Sequence, residues 1–369
     1  MMPAPSSGPS ASHNSKRTLG LTLLMIAVVA LPWVLSWGGA SWLRILNFAL
    51  LYVMLSLGLN IVVGFAGLLD LGYIAFYALG AYLYALLASP HLTEQFPAIA
   101  ALFPSGLHIP ILAALVIAAL VAGIFGALLG APTLKLRGDY LAIVTLGFGE
   151  IIRIFMNNLN APYNITNGPQ GINMVDPVRL AGIDFAKGWV VGPVTLTSTH
   201  LYYYLFALLV ILIVLVSFRL QNSRLGRAWM AIREDEIAAK AMGINTRNVK
   251  LMAFAMGASF GGIAGALFAA SQGFVSPESF GLMESLVILS MVVLGGMGHI
   301  PGVILGALLL SGFPELLRAV VIPLQQSLFG KVLMDAEIIR SLIYGVAMVA
   351  VMRFKPAGLW PTPKREAAQ

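Results

Sequence analysis

Apolar runs of bilayer length dominate the chain. They fall at about 19–37, 45–63, 71–89, 109–131, 139–157, 201–218, 251–271, 282–298, 301–321 and 336–353. A helix needs about 20 mostly apolar residues to cross the hydrocarbon core, so the pattern predicts ten membrane-spanning helices. Three runs are weaker. The 139–157 run contains Glu150 and Arg153, the 282–298 run is short and ends in glycine, and the 336–353 run contains Arg340. Between the runs, only one long stretch is richly charged. Arg219 to Lys250 carries seven of the 22 Lys and Arg residues, together with Glu234, Asp235 and Glu236. This stretch predicts a short helix of about eight residues. Asp235 is placed as its N-cap, Gly243 as its left-handed C′ residue, and Glu236 with Lys240 as an i,i+4 pair. A helix that short is not stable alone in water, so the fold or a partner must hold it.

Composition supports the membrane assignment. The chain of 369 residues is 59% hydrophobic and only 10% charged, with a mean hydropathy of +0.89. Its 38 glycines suit close helix packing in lipid. The absence of cysteine excludes disulfides, thiolate metal sites and a catalytic thiol. Five scattered histidines have no metal-ligand spacing, so no metal site is expected.

The net charge of +7 is read through the positive-inside rule, with lipid rather than nucleic acid as the surrounding partner. Ten spans starting inside place Lys135, Arg137, the 219–250 loop and the C-terminal cations in the cytoplasm. Arg179, Lys187 and Lys331 fall outside. Both termini are then cytoplasmic. Residues 1–18 and 354–369 read as tails, the first disordered, around a transmembrane domain over 19–353. Trp33, Trp37 and Trp42 form an interfacial cluster after the first run, which reads as a retained anchor. Residues 158–200 form the largest external segment, with N-G-P-Q-G-I at 167–172, and are long enough to be a docking surface.

Two glycine-rich segments, G-F-A-G-L-L-D-L-G (64–72) and G-G-M-G-H-I-P-G (295–302), precede small-residue helices and hint at internal duplication. No phosphate-binding loop, nucleophile elbow, zinc-protease motif or kinase set occurs, so nothing points to catalysis or to ATP binding by this chain. Ionisable residues in or near the spans are Asp70, Asp139, Glu150, Arg153, Glu284, Glu315, Arg318 and Arg340. An ion-driven carrier usually needs acids deep in the bundle. Here Asp70, Asp139 and Glu284 lie near span ends, and Glu150 with Arg153 at i,i+3 can neutralise each other. Gly67, Asp70, Gly72 and Glu150 are the candidates for a translocation pathway. For Asp70 the competing assignment is a cap on the third span.

A membrane bundle with one charged helix and no energy source of its own has the make-up of an ABC importer's membrane subunit. The segment E-D-E-I-A-A-K-A-M-G-I-N (234–245) resembles the coupling motif of bacterial ABC importer permeases. Residues 58–82, 133–153, 167–172 and 295–307 resemble the branched-chain amino-acid permeases of the LivM type, extending the likeness over roughly residues 45–355. The resemblance implies a type II importer bundle of about ten helices. It also implies two cytoplasmic ATPase subunits, a second related permease subunit and a periplasmic binding protein that delivers leucine, isoleucine or valine. Carried over by position, the ATPase-coupling residues are Arg233, Glu234, Asp235, Glu236, Ala239 and Gly243, with the small Ala238 and Ala239 letting an ATPase groove approach. No cofactor is implied. Relatives that carry urea, short amides or other amino acids are not separated from this reading by the sequence.

Overall fold

A computed structural model describes residues 27–360 of the protein, apart from 37–38, 105, 135, 137, 181, 192–193, 330–335 and 356–357. Lys135, Arg137, Lys331 and most of both expected tails lie outside the described residues, as do the side chains of Glu315, Arg318 and Arg340.

Each expected span contains a helix. In chain order these are α1 (Ala27–Ser36), α2 (Ala40–Leu59), α3 (Ile74–Leu87), two short helices α4 (His91–Gln95) and α5 (Pro97–Leu102), α6 (Ile111–Thr133) and α7 (Asp139–Asn158). After an external-type segment come α8 (Ser198–Gln221), α9 (Arg224–Glu234), α10 (Glu236–Ala241), α11 (Thr246–Gln272), α12 (Leu282–Gly295), α13 (Ile300–Phe329) and α14 (Ala336–Phe354). Among the described residues, five helices are long and apolar enough to cross a membrane, at Ser41–Phe65, Ile111–Thr133, Ser198–Gln221, Thr246–Gln272 and Pro277–Gly295. Three shorter apolar helices accompany them, α1, α3 and the first half of α13. The fold is a helical membrane bundle.

The bundle is organised around α11, which packs against α6, α3 and α2. Small residues make this possible. Lipid gives no hydrophobic push between apolar helices, so they hold together by close packing, and glycine lets backbones touch. At the α3–α11 crossing, a Cβ on Gly80 would run into the Gly262 carbonyl, and one on Gly265 into the Tyr77 carbonyl. Phe65, Tyr73, Tyr82, Phe206 and Phe254 are buried in the same core.

The chain departs from simple spans in two places. First, α2 does not end at Leu59. It continues as a π-helical turn over Asn60–Phe65, buried throughout. Such turns widen the helix locally and often accompany functional sites. Second, the 158–200 segment is folded onto the bundle. It contains a 3₁₀ turn at Gly168–Gln170 and two hairpins, β1 (Arg179–Leu180) with β2 (Ile183–Asp184) and β3 (Trp189–Val191) with β4 (Val194–Leu196). Ile172 bridges Val275, the Asp176 N–H donates to the Ala88 carbonyl at 2.6 Å, and Tyr202 accepts from the Val178 N–H at 3.2 Å. These bonds tie the segment to the ends of α3, α8 and α11.

Candidate functional site

The charged 219–250 stretch forms two helices rather than one of about eight residues. Ser223 starts α9 by accepting the Gly226 N–H at 3.1 Å. Gly226, Trp229 and Ile232 are spaced by three, so they share a face, and all three are buried. Trp229 is fully buried and its Nε1 donates to the Val249 carbonyl at 2.7 Å. This docks α9 on the start of α11.

At Asp235 the backbone swings out to φ −153°, which ends α9 and begins α10. The Asp235 carboxylate accepts from the Ile237 and Ala238 N–H groups at 2.8 and 3.0 Å, the expected N-cap. At the other end Gly243 has φ +82°. Its N–H reaches the Lys240 carbonyl at 3.1 Å, and the Ile244 N–H reaches the Ala239 carbonyl at 3.1 Å, the paired bonds of a Schellman cap. Asn245 then caps α11 by accepting the Asn248 N–H at 3.2 Å.

Two expectations for α10 are corrected. The Glu236 carboxylate turns to Lys250 on α11, at 2.6 Å, rather than along its own helix to Lys240. A six-residue helix has little side-chain surface for an internal pair, whereas the nearly buried Lys250 ammonium needs a counter-charge. Ala239 is 4% exposed and faces inward, so it is not on the outer face of α10. That face instead carries Ile237, 71% exposed, and Met242, 83% exposed, with Ala238 and Ala241 between them. Neither large apolar residue stood out in the sequence.

Arg233 reaches the other way. Its guanidinium donates to the Gly64 carbonyl in the π-helical turn. Its aliphatic stem lies where a Cβ on Gly67 would be, 2.9 Å from Arg233 Cγ. A Cβ on Gly298 would lie 2.9 Å from its Nη1. The Gly298 N–H donates to Asn60 Oδ1 at 2.8 Å. The two glycine-rich segments therefore meet each other and the charged stretch at one place, and positive φ favours glycine at 67 and 298, with the Arg233 side chain close to both. Residues 359–360 close the same corner, with N–H groups donating to the Leu294 and Gly295 carbonyls. A cavity of about 200 Å³ lies beneath, lined in part by Gly67, Leu141, Arg233, Glu236 and Lys250.

The remaining pathway candidates lie beside α7. Asp70 sits in the connection between the second and third spans, 2% exposed. Its Oδ1 accepts the Gly72 N–H at 2.9 Å. Tyr73, not Asp70, is the N-cap of α3, so Asp70 closes the turn before the helix rather than capping the helix itself. Burial pushes the Asp70 carboxyl up to about 6, against the downward pull of the Gly72 N–H and the Thr145 hydroxyl. Gly72 lets the turn touch α7, since a Cβ there would strike the Thr145 carbonyl. Glu150 accepts from Arg153 Nε at 2.9 Å as expected, and Arg153 also approaches Glu278 at 3.5 Å. Gly67 and Arg233 are thus brought together, Asp70 and Gly72 share the Thr145 contact, and Glu150 is engaged with Arg153. Asn60, Trp229, Lys250 and Gly298 were missed as members of this network. Asn60 left a faint signal as one of the few polar residues of its apolar run, with Asn47 and Ser56.

A family model described as the permease component of branched-chain amino acid transport systems matches residues 41–352. The chain belongs to that family. Among curated relatives, it is 42% identical over 358 residues to the high-affinity branched-chain amino acid transport permease LivM of Escherichia coli, covering 94% of this chain and 75% of the relative. The probable LivM permease of Methanocaldococcus jannaschii is 28% identical over 84% of this chain and 90% of its own length. The LivH permease of Escherichia coli is 26% identical over 70% of this chain and 79% of its own. No solved structure matches. The permease match spans the α9–α10 pair and the Arg233 corner apart from residues 359–360, so that architecture lies largely within the part of the chain shared with the family.

Proposed function

We propose that this permease translocates leucine, isoleucine and valine across the bacterial inner membrane. It does so as one of two related membrane subunits, served by a periplasmic binding protein and driven by two cytoplasmic ATPase subunits. In this reading ten helices cross the membrane with both termini inside. α10 faces the cytoplasm and is the coupling helix, and the 158–200 segment faces the binding protein.

The observation that carries the reading is the construction of α10. A six-residue helix is held rigidly by its Asp235 cap, by the Glu236–Lys250 pair and, through α9, by Trp229 and Arg233. It nevertheless presents Ile237 and Met242 almost fully to solvent. Exposed apolar side chains on a firmly anchored element suit a partner groove. Work done there reaches the Gly64–Gly72 and Gly295–Gly302 segments through Arg233. A conformational change can be driven only by something that binds the two states differently. An ATPase dimer closing on ATP meets that need, and this chain has no phosphate-binding loop of its own.

The test is uptake by the reconstituted complex. Leucine accumulation in proteoliposomes should require ATP on the ATPase side and binding protein on the other. It should persist when ionophores collapse the proton and sodium gradients at constant ATP. Accumulation of leucine by this chain alone, driven by an imposed pH gradient, would replace the reading with an ion-coupled carrier.

A further inference from the structure

A cavity of about 280 Å³ opens at the end of the bundle that carries the 158–200 segment, between the starts of α2 and α8 and the end of α11. That volume is near the lower end of small-molecule sites, roughly 300–1,000 Å³. Its wall is polarised. On one side are Arg44 and the first turn of α8, at Ser198 and Thr199. On the other is the last turn of α11, at Ser271 and Gln272. A helix carries partial positive charge at its N-terminus and partial negative charge at its C-terminus. The two helix ends therefore give the cavity a positive and a negative pole.

Three details, two at the positive pole and one at Asn47, indicate groups open to a ligand. Thr197 is the N-cap of α8, yet its side chain makes no capping bond, its hydroxyl being engaged with His200 Nδ1 at 2.7 Å. Among the described residues Arg44 has no ion pair. Asn47 is 8% exposed and lines the cavity. Its Nδ2 donates to the Thr199 carbonyl at 3.1 Å, which fixes the other amide atom as the oxygen. That buried Oδ1 has no donor. A buried acceptor without a donor is costly, and an incoming ammonium group would satisfy it. The rest of the wall includes Phe48, Leu51 and Phe206, which are apolar.

We propose that this cavity binds a zwitterionic α-amino acid with an apolar side chain. The carboxylate lies at Arg44 and the α8 N-terminus. The ammonium donates to Asn47 Oδ1 beside the α11 C-terminus, and the side chain packs on Phe48, Leu51 and Phe206. The choice of an amino acid over another charged solute rests on the permease reading and on the presence of both poles in one cavity. Phe48 and Leu51 also line a second cavity of about 240 Å³ that reaches Tyr52 and Glu284, themselves bonded at 2.8 Å. The site therefore adjoins further space within the bundle.

The test uses the purified complex in lipid nanodiscs without binding protein. Equilibrium dialysis compares L-leucine with 4-methylpentanoate, which lacks the ammonium, and with 3-methylbutylamine, which lacks the carboxylate. A hydrogen bond to a charged group corresponds to about 10- to 100-fold in affinity, so wild type should prefer leucine over either analogue by at least about tenfold. Asn47→Ala should lose the preference over 4-methylpentanoate and keep the other. Arg44→Gln should lose the preference over 3-methylbutylamine and keep the first. Because Asn47 also holds Thr199, Asn47→Asp serves as the conservative control. It keeps an acceptor and should retain the preference for the ammonium. No saturable leucine binding by wild type, or preferences unmoved by both Asn47→Ala and Arg44→Gln, would overturn the site. ATP-driven leucine uptake by the same wild-type complex separates the two readings. Uptake without binding here removes this site and leaves the permease, whereas a complex that never takes up leucine removes the permease reading itself.

Discussion

Glu236 and Lys250 are expected to respond asymmetrically when either is replaced. The Lys250 side chain is 6% exposed, the Glu236 side chain 28%, and the charged atoms are 2.6 Å apart. At an effective dielectric of about 20, unit charges at that separation attract by roughly 6 kcal/mol. Taking the ammonium out of water costs several kcal/mol, so the pair as a whole stabilises by far less. Removing one partner is another matter. Glu236→Gln leaves the Lys250 charge buried without its counter-ion, at about 3 kcal/mol. This is the low end of the range for buried pairs, since water reaches the Glu236 side. Lys250→Met leaves a carboxylate that water can solvate, at about 1 kcal/mol. The double variant removes both charges and should fall near Lys250→Met alone.

The assay is hydrogen exchange of the amides in 235–250, which reads the opening of α10 and the start of α11 rather than unfolding of the whole bundle. Three kcal/mol corresponds to roughly a hundredfold faster exchange, at about 1.4 kcal/mol per tenfold. Glu236→Gln should therefore exchange about a hundredfold faster, Lys250→Met about fivefold faster, and the double variant close to the latter. Equal effects in the two single variants, or a double variant as loose as Glu236→Gln, would refute the claim that this pair anchors α10.

Three further outcomes are expected. Gly243→Val places a β-branched residue at φ +82° with no atom within 4 Å of the new Cβ. The cost is therefore backbone strain of about 1–2 kcal/mol or more rather than a clash; Gly243→Asn should be nearly neutral in the same thermal-unfolding comparison, and equal loss in both would count against the cap. Met242→Asp and Ile237→Asp touch only exposed apolar positions, so insertion and thermal stability should hold. Co-purification with the ATPase should weaken by about ten- to a hundredfold, the value of burying one such side chain, and normal recovery in both variants would remove this face from the coupling surface. Asp70→Asn keeps the acceptor for the Gly72 N–H and removes a carboxylate whose folded pKa, about 6, lies above its unfolded value. Wild type should lose stability as pH rises from about 4 to 6 and stay lower above that, the Asn variant should lack this step, and at pH 7 it should be more stable by up to about 3 kcal/mol in urea or thermal midpoints measured across pH.

The membrane bundle was legible because period and length carry it. Every expected run holds a helix, the Asp235 and Gly243 caps stand where local chemistry puts them, and Glu150 meets Arg153 three residues away. These are local features, set by residues within a few positions of one another. What escaped was contact between distant segments. Glu236 has a cation four residues ahead and another fourteen ahead, and nothing in the order of residues says that α11 folds back to present the second. Ala239 and Ile237 are both apolar and two residues apart, so helical spacing separates their faces but cannot say which face is covered.

The corner at Arg233 shows the same limit and its consequence. The two glycine-rich segments suggested duplication because each precedes a small-residue helix. Their meeting around one guanidinium gives a different physical reason for the glycines. Gly64 lies in the last turn of its helix, where carbonyls have no partner within the helix, and the Arg233 guanidinium takes the Gly64 carbonyl there. Asn60 then holds Gly298 against the same turn at 2.8 Å. A side chain on Gly67 would press on the Arg233 stem, and one on Gly298 would crowd its guanidinium, the only one that joins α9 to this corner among the described residues. Arg233 thereby joins α9 to the segments that precede α3 and begin α13, through one hydrogen bond to Gly64 and two close approaches at Gly67 and Gly298 rather than through a flexible loop. In the proposed coupling, a rigid connection of this kind is what a partner acting on α10 requires if its work is to reach the rest of the bundle.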